Sequence, residues 1–334
     1  MKAVVLVGGA GTRLRPLTFT TPKPLLPIVN VAFLERQLQW LSSFGVDEAV
    51  LSLGYLPDAF KQHFADERFG DVKLRFVVEH EPLGTAGGIR FAAEGINERV
   101  LVCNGDVLTD LDLDEFVAFH ESRRAEATIS LARVEDPSAF GVVPTRDDGE
   151  VIAFVEKPPR EQAPTNWINA GTYVLEPSVL ASIPPRLNVS IEREIFPRML
   201  ERPGRLYAMR SEGYWLDIGT PEKYLEAHRD VLAGRVGFPP SPGATELRAG
   251  VWTEPGALID PTAEIVGPSL VGAGARVEAG ARVVASVLGA GAVIGAGATM
   301  NNSVVFAGVQ VPAGANIDAT VLGADARLEV TGAQ

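Results

Sequence analysis

The feature that most constrains the fold is a six-residue repeat in the last quarter of the chain. Aliphatic side chains recur at this spacing from Ile259 to Val283, and the period resumes after one-residue slips at Leu288, Val305 and Leu322. Most of these positions are followed four residues later by a small residue, and glycine fills many of the turns between them. This pattern predicts a parallel β-helix, in which each short side needs one inward aliphatic residue and a small residue near the corner. Thirteen hexads at three per coil predict about four coils.

The alternative for this region is a flexible tail rich in alanine and glycine, but the regular aliphatic phase argues against it. The repeat resembles the left-handed β-helix of hexapeptide-repeat proteins. We therefore predict this domain over residues 257–330, after a linker over 233–256 that is rich in glycine and proline. Many such proteins transfer acyl groups with a histidine base. All four histidines here precede the repeat, so that activity is not expected.

Residues 1–232 alternate between short aliphatic runs and segments of helical spacing. Runs at 3–7, 48–53 and 99–103 read as strands, whereas 33–44 reads as a helix ended by Gly45. This alternation predicts an α/β domain with a Rossmann-like, mostly parallel sheet and helices on both faces. Ligands of such sheets bind beyond the carboxyl ends of the strands, which directs attention to the loops after Val7 and Cys103.

Composition limits the classes of function. No apolar run reaches the roughly 18 residues of a membrane span, so no membrane partner is expected. The single cysteine, Cys103, excludes an internal disulfide framework and a cysteine zinc site, and it favours a reducing cytoplasm. The net charge of −12 argues against binding to nucleic acid, which requires a broad basic surface.

The N-terminal segment has the opposite charge. The first acidic residue is Glu35, and all charged residues before it are basic. Such a local excess favours an anionic ligand, although a solvated loop would carry the same charges. Six residues here are candidates for binding phosphate: Gly8, Gly9, Gly11, Thr12, Arg13 and Lys23. A glycine-rich loop lets backbone N–H groups approach phosphate, and arginine with lysine adds a forked and a point-like donor. Neither a Walker A motif nor a dinucleotide fingerprint is complete in this segment.

Residues 8–18, GGAGTRLRPLT, followed by PKPLLP at 22–27, resemble the signature of the sugar-1-phosphate nucleotidylyltransferases, also called NDP-sugar pyrophosphorylases. Other segments that resemble the family follow in order: 81–87, 104–106, 140–142, 155–158, 169–171 and 215–220. The resemblance covers residues 1–232 and implies transfer of a nucleotidyl group from a nucleoside triphosphate to a sugar 1-phosphate, with release of pyrophosphate. A β-helix tail recurs in several branches of this family.

The resemblance also implies roles for individual residues. Arg13 would hold the triphosphate and stabilise the leaving pyrophosphate, and Lys23 would bind phosphates near the α position. The nucleotide would further contact the loop of Gly8, Gly9, Gly11 and Thr12, together with Gly84 and Thr85. The sugar phosphate would be held by Gly141, Glu156, Lys157 and Asn169. Mg²⁺ would be bound by Asp106 and Asp217. Local alternatives remain: Asp106 could cap the next segment, Lys157 could be a solvated turn residue, and Asn169 could order a turn.

Specificity rests on shorter strings. Residues 81–87, 168–173, 190–197 and 213–219 resemble mannose-1-phosphate guanylyltransferases with a C-terminal β-helix, which implies GTP and α-D-mannose 1-phosphate as substrates. The alternatives are a glucose-1-phosphate thymidylyl- or uridylyltransferase and a non-catalytic regulatory homologue that binds NDP-sugars. An active enzyme is favoured because Arg13, Lys23, Asp106, Lys157 and Asp217 are all present. The β-helix then suits self-association, so a homo-oligomer is expected.

Overall fold

The computed structural model describes residues 1–330. The chain forms two compact units, of which the first contains residues 1–9 and 37–215 and the second contains residues 10–36 and the chain from 216 onward. The helices of the described chain are α1 (Phe33–Ser43), α2 (Pro57–His63), α3 (Gly84–Ala92), α4 (Leu113–Arg123), α5 (Pro177–Ser182), α6 (Phe196–Leu200) and α7 (Pro221–Leu232). Among residues 1–330, none of these helices has both the length and the apolar character that a membrane crossing requires.

The strands before residue 232 are β1 (Lys2–Leu6), β2 (Pro27–Ile28), β3 (Val31–Ala32), β4 (Glu48–Leu53), β5 (Arg68–Phe69), β6 (Val72–Val78), β7 (Val100–Asn104), β8 (Val107–Thr109), β9 (Ala127–Arg133), β10 (Gly141–Val142), β11 (Val155–Glu156), β12 (Trp167–Leu175), β13 (Leu206–Ser211) and β14 (Trp215–Asp217). The later strands are β15 (Thr245–Arg248), β16 (Val251–Thr253), β17 (Leu258–Ile259), β18 (Glu264–Val266), β19 (Ser269–Val271), β20 (Arg276–Val277), β21 (Arg282–Val284), β22 (Val287–Leu288), β23 (Val293–Ile294), β24 (Thr299–Asn301), β25 (Val304–Val305), β26 (Gln310–Val311), β27 (Asn316–Asp318), β28 (Thr320–Leu322) and β29 (Arg327–Glu329).

The first unit is built on one large sheet with the order β11-β10-β12-β7-β1-β4-β6-β5. Strands β7, β1, β4 and β6 are parallel, and Val4 lies in register with Val50 and Val102 in the buried core. Strand β12 is antiparallel to both β7 and β9, so the sheet is mixed and less parallel than the alternation of elements predicts. Most of β12 is buried on both faces, as is typical of parallel strands. Its residue pattern therefore does not reveal that it runs antiparallel to β7 and β9.

The predicted helices and strands around the loops of interest are confirmed with small shifts at their ends. Strand β4 has the predicted bounds, and β1 and β7 each lie within one residue of theirs. Helix α1 is followed by Gly45, which has a φ of 74°. This left-handed conformation suits glycine and ends the helix there.

The β-helix of the second unit has three stacked parallel sheets. One contains β16, β19, β22, β25 and β28, and the other two are β17-β20-β23-β26 and β18-β21-β24-β27. This gives the four coils that the hexads predict. The repeating aliphatic residues from Ile265 to Ile317 form its buried core. Strand β16 already pairs with β19, so the β-helix begins inside the segment that we expect to be linker.

The one-residue slips in the repeat are corners of the β-helix. Left-handed φ values of 47°, 43° and 43° occur at Ala285, Asn302 and Ala319. Each of these residues lies two positions after the last aliphatic residue before a slip. The residues that directly follow these corners are Ser286, Ser303 and Thr320. Together with Ser269 of the preceding coil they form a ladder of buried hydroxyls. The hydroxyl oxygens of the three serines each accept a hydrogen bond from the backbone N–H 17 residues later, at 3.0–3.1 Å. The ladder satisfies backbone groups that the tight corner would otherwise leave unpaired in the core.

Candidate functional site

Residues 10–36, which include the end of the glycine-rich loop and Lys23, belong to the second unit. Gly11 has a φ of 57°, and a Cβ atom added there would lie 3.0 Å from Lys23 Cβ and 3.1 Å from Thr18 Cγ2. The Thr18 hydroxyl donates to the Gly11 carbonyl at 2.9 Å. The turn Thr12–Leu14 follows directly, and Lys23 is only 7% exposed. Glycine is therefore required at position 11, both for its backbone conformation and for the close approach of the lysine-bearing segment.

Arg13 and Asp217 lie beside the same glycine in this unit. A Cβ atom added to Gly219 would overlap the Arg13 guanidinium and lie 2.8 Å from Asp217 Oδ1. The same carboxylate oxygen accepts the Gly219 N–H at 2.7 Å. A cation and an anion that come from two distant sequence motifs are thus brought together, as a site for metal-bound phosphate requires.

In the first unit, Gly8 lies against Gly54, where an added Cβ would come within 2.8 Å of the Gly8 carbonyl oxygen. A Cβ atom added to Gly9 would meet nothing within 4 Å. Gly8 is therefore held by close backbone contact, whereas the space beside Gly9 is open.

Asp106 follows the carboxyl end of β7. The preceding residue, Gly105, donates its N–H to the Leu6 carbonyl at 2.9 Å, and a Cβ atom there would overlap Val7 and lie 2.6 Å from Leu6 O. The element after Asp106 is strand β8, so Asp106 does not cap a helix; Asp112 caps the next one, α4. Asp106 lies at the carboxyl end of a parallel strand, where α/β sheets bind ligands, and its role there stays a prediction.

The segment with Gly84 and Thr85 begins helix α3. Gly84 has a φ of 68°, and an added Cβ would lie 2.6 Å from the Val189 carbonyl. The Thr85 hydroxyl donates to Glu192 Oε2 at 2.7 Å and accepts the Ile191 N–H at 2.9 Å. Thr85 thus orders this loop against the turn at Ile191–Ile195, and its predicted contact with the nucleotide stays a prediction.

Two residues that support this loop were not among the sequence candidates. Glu79 accepts the Leu83 N–H at 3.1 Å and the Ser52 hydroxyl at 2.7 Å. Glu192 accepts the hydroxyls of Thr85 and Ser190. Glu79 comes directly after strand β6, so its position at a strand end is the available signal. Glu192 lies in the 190–197 string that resembles the family, but that string does not indicate its contact with Thr85.

Three of the predicted sugar-phosphate residues lie on a small ladder. Gly141 of β10 pairs with Glu156 of β11, and an added Cβ on Gly141 would lie 2.6 Å from Phe154 Cε1. Lys157 has a φ of 49°, and its Nζ lies 3.8 Å from Glu156 Oε1. Arg193 Nη2 lies 3.5 Å from the same oxygen. The Lys157 side chain is 59% exposed, so its ammonium is accessible to an anionic ligand.

Asn169 lies at an irregularity in β12, where the pairing with β9 shifts between Asn169 and Tyr173. Its Nδ2 donates to the Tyr173 hydroxyl at 2.7 Å, and its Oδ1 accepts the Gly171 N–H at 3.0 Å. A Cβ atom on Gly171 would lie 2.6 Å from Asn104 Nδ2. The bulge therefore places Asn169 and Gly171 near the strand end that precedes Asp106. Burial, more than any neighbouring charge, raises the pKa of the Tyr173 phenol well above its ordinary value.

The donor chemistry of the site bears on the metal that it could hold. Within residues 1–330, no three side chains of His, Cys, Asp or Glu form a group able to hold a metal ion. This excludes a closed all-protein metal cage in that part of the chain. Carboxylates that act singly or in pairs, with substrate phosphates completing the coordination, suit Mg²⁺. Asp106 of the first unit and Asp217 of the second unit stay predicted ligands of this kind.

Comparison with known proteins identifies the family. A family model described as nucleotidyl transferase matches residues 2–234, and one described as a GlmU-like C-terminal hexapeptide matches residues 260–332. The chain belongs to the nucleotidyl transferase family and is a nucleotidyltransferase with a hexapeptide-repeat domain.

Relatives and solved structures agree with this assignment. The chain is 42% identical to the mannose-1-phosphate guanylyltransferase of Mycobacterium tuberculosis, over 82% of this chain and 76% of the relative. It is 40% identical to a probable mannose-1-phosphate guanylyltransferase of Arabidopsis thaliana, over 81% and 75% of the two chains. The crystal structure of HddC from Yersinia pseudotuberculosis complexed with GMP-PN is similar at 32% identity and a TM-score of 0.59, over 68% of this chain and 97% of HddC.

Proposed function

We propose that the protein catalyses the reaction of GTP with α-D-mannose 1-phosphate to give GDP-mannose and pyrophosphate. The observation that carries the reaction class is that Arg13 and Asp217 both lie beside Gly219. The choice of GTP and mannose is supported by the guanylyltransferase relatives, which match four-fifths of the chain at 40–42% identity.

The chemistry requires little beyond positioning and neutralisation of charge. A phosphate oxygen of the sugar phosphate bonds to the α-phosphorus of the triphosphate, and the bond to the bridging oxygen breaks. The electron pair leaves with pyrophosphate. Because the attacking oxygen is already ionised, no general base is needed. Arg13 would neutralise the leaving pyrophosphate, and the buried ammonium of Lys23 would hold the α-phosphate in line.

The remaining roles belong to the residues that hold the two substrates. The backbone at Gly8, Gly9, Gly11 and Thr12 would bind the triphosphate, and the loop at Gly84 and Thr85 would contact the base and ribose. Lys157 would hold the sugar phosphate, Glu156 would accept hydrogen bonds from sugar hydroxyls, and Gly141 and Asn169 would shape the sugar pocket. The ladder of β10 and β11 supports this assignment because it presents Glu156 and Lys157 side by side.

Asp106 and Asp217 would hold Mg²⁺, whose chemistry is to neutralise phosphate charge and orient the phosphate oxygens. The two carboxylates are oriented by different contacts. Asp217 is oriented by the Gly219 N–H, and Asp106 is placed by the close contact of Gly105 with the end of β1.

The experiment follows formation of GDP-mannose and pyrophosphate by the full-length protein with Mg²⁺. Wild type should turn over, and Asp106→Asn, which removes the charge but keeps the size, should lose at least a hundredfold in kcat, on the order of a lost phosphate-binding contact. Asp114→Asn on the exposed face of α4 is the matched control and should retain wild-type kcat. Binding of NDP-sugar without turnover would instead indicate a regulatory homologue.

We also propose a homo-oligomer assembled through the β-helix and a cytoplasmic location. Cys103 is buried, and this burial raises the pKa of its thiol, which keeps it inert. A monomeric mass by light scattering at micromolar concentration would contradict the oligomer.

A further inference from the structure

The hairpin that follows the phosphate-binding segment has an unusual turn. Strands β2 and β3 pair with Ile28 opposite Val31, and the two residues between them, Val29 and Asn30, have φ values of 49° and 60°. Asparagine tolerates this left-handed region, but a β-branched valine rarely adopts it. The turn is therefore held by its surroundings more than by its own preference.

Part of what holds the turn comes from helices. The Val29 N–H donates to His228 Nδ1 at 3.1 Å, and the Val29 carbonyl accepts from Arg36 Nη2 at 3.3 Å. The Tyr224 hydroxyl donates to the Pro27 carbonyl. His228 and Tyr224 lie on α7, so this helix clamps the base of the hairpin.

The other part comes from the β-helix. Asn30 Nδ2 donates to the Leu288 carbonyl at 3.0 Å and to Glu254 Oε1 at 3.3 Å. Glu254 is itself fixed, because its Oε1 accepts the Ser241 hydroxyl and its Oε2 accepts the Ala273 N–H at 2.8 Å. An added Cβ on Gly272 would lie 2.8 Å from Asn30 Nδ2. The Asn30 amide is thus inserted between two coils that have room for it only because residue 272 is glycine.

Hydrogen bonds connect this anchor to the phosphate-binding residues. The Phe33 N–H donates to the Leu26 carbonyl at 3.0 Å and closes the hairpin. The Leu26 N–H in turn donates to the Lys23 carbonyl at 3.1 Å. Lys23 packs against Gly11, whose carbonyl accepts the Thr18 hydroxyl. A shift of the hairpin would therefore be passed on to Lys23 and to the loop that carries Arg13.

We propose that the β-helix positions the phosphate-binding segment for catalysis, and that Asn30 and Glu254 are the positioning residues. This inference rests on the proposed function for its kinetic consequence. Its structural consequence, that the bridge rigidifies residues 10–26, is independent of which substrates are used. Displacements of about 1 Å at a reacting group can cost roughly a hundredfold in rate, so a distant anchor can control turnover.

Two variants remove the bridge by different means. Asn30→Gly keeps a residue that favours positive φ and deletes only the amide. Glu254→Gln keeps the size of the side chain but replaces one acceptor oxygen with an amide N–H₂. This group cannot accept a hydrogen bond from the donors that surround Glu254. The matched control is Glu278→Gln, because Glu278 Oε2 accepts the Ala296 N–H at 3.0 Å in the same kind of β-helix turn.

Kinetics on the full-length protein should show a fall in kcat of about tenfold or more for both bridge variants. The KM for GTP should change by less than about threefold, because the base loop is untouched. The double variant should lose little more than either single variant, because both act on one bridge. Glu278→Gln should keep the wild-type kcat. The thermal midpoints of wild type and the four variants should not follow the same order as their kcat values.

Hydrogen exchange gives a readout that does not need turnover. Peptides covering residues 10–26 should exchange faster in Asn30→Gly and Glu254→Gln than in wild type, and Glu278→Gln should match wild type. Unchanged exchange in the bridge variants, or an equal increase in the control, overturns the positioning role whether or not the protein turns over. Lack of turnover in wild type together with the expected exchange pattern would overturn the proposed function and leave the structural anchor supported.

Discussion

Acid pH should destabilise the protein through one buried histidine. His228 is 2% exposed, and its Nδ1 accepts the Val29 N–H, so the ring must be neutral there. Burial, and secondarily the charge of Arg36, lowers the pKa of His228 from 6.5 to about 3, while the Pro27 carbonyl acts in the opposite direction. A protonated ring would point a second N–H at the Val29 N–H and lose this hydrogen bond.

The direction in which the free energy of unfolding changes with pH follows from the pKa of His228 in the unfolded and folded states. In the unfolded chain the ring takes up a proton below about pH 6.5, whereas in the folded protein it stays neutral down to about pH 3. The unfolded state therefore binds more protons in this window, and the free energy of unfolding falls as the pH is lowered through it. At 1.36 kcal/mol per pKa unit, the 1.5 units between pH 6.5 and pH 5.0 correspond to a loss of about 2 kcal/mol.

Urea unfolding between pH 7.5 and pH 5.0 measures this loss. The comparison is wild type against His228→Asn, whose Oδ1 can still accept the Val29 N–H. Wild type should lose about 2 kcal/mol more than the variant over this range. Contributions from His120 and the carboxylates are common to both proteins and cancel. His63→Asn, at an exposed position, should keep the wild-type slope. Parallel pH profiles for wild type and His228→Asn would refute this reasoning.

Three further outcomes are expected. Gly105→Ala should lower the free energy of unfolding by about 1–3 kcal/mol and reduce kcat, since its Cβ would overlap Val7; Gly237→Ala, with open space around it, should be neutral in thermal unfolding. Ser286→Ala should cost about 1–3 kcal/mol in urea unfolding, because it removes the acceptor of the Ser303 N–H; a cost near zero would show that the ladder is not stabilising. Arg13→Lys should lower kcat/KM by roughly 10- to 100-fold, since lysine keeps the charge but not the fork; unchanged kinetics would remove Arg13 from the mechanism.

Much of the fold is visible in the sequence because its signals are local. The hexads place their aliphatic residues in the β-helix core, and even the slips at Leu288 and Val305 mark real corners. Gly11 is equally readable, because its constraint is set by Thr18 and Lys23, which lie close to it in the sequence. The family signature adds candidate residues whose roles geometry alone does not assign.

What the sequence does not show depends on contacts between distant segments. Strand β12 has the composition of a buried strand in either direction, so its antiparallel pairing could not be predicted. The inclusion of residues 10–36 in the same unit as the β-helix follows from Asn30 meeting Leu288, 258 residues away. Glu192 reaches Thr85 across 107 residues, and no local pattern announces such a partner.

The proposed choice of GTP and mannose 1-phosphate is tested by a matrix of substrate pairs. The purified full-length protein with Mg²⁺ is offered GTP, dTTP, UTP, ATP and CTP, each with mannose 1-phosphate and with glucose 1-phosphate, and pyrophosphate release is followed. We expect the highest kcat/KM for GTP with mannose 1-phosphate and the loss of this activity in Asp106→Asn. A maximum with dTTP or UTP and glucose 1-phosphate would contradict the proposed substrates while keeping the reaction class. Absence of turnover with every pair would contradict the proposed enzyme itself.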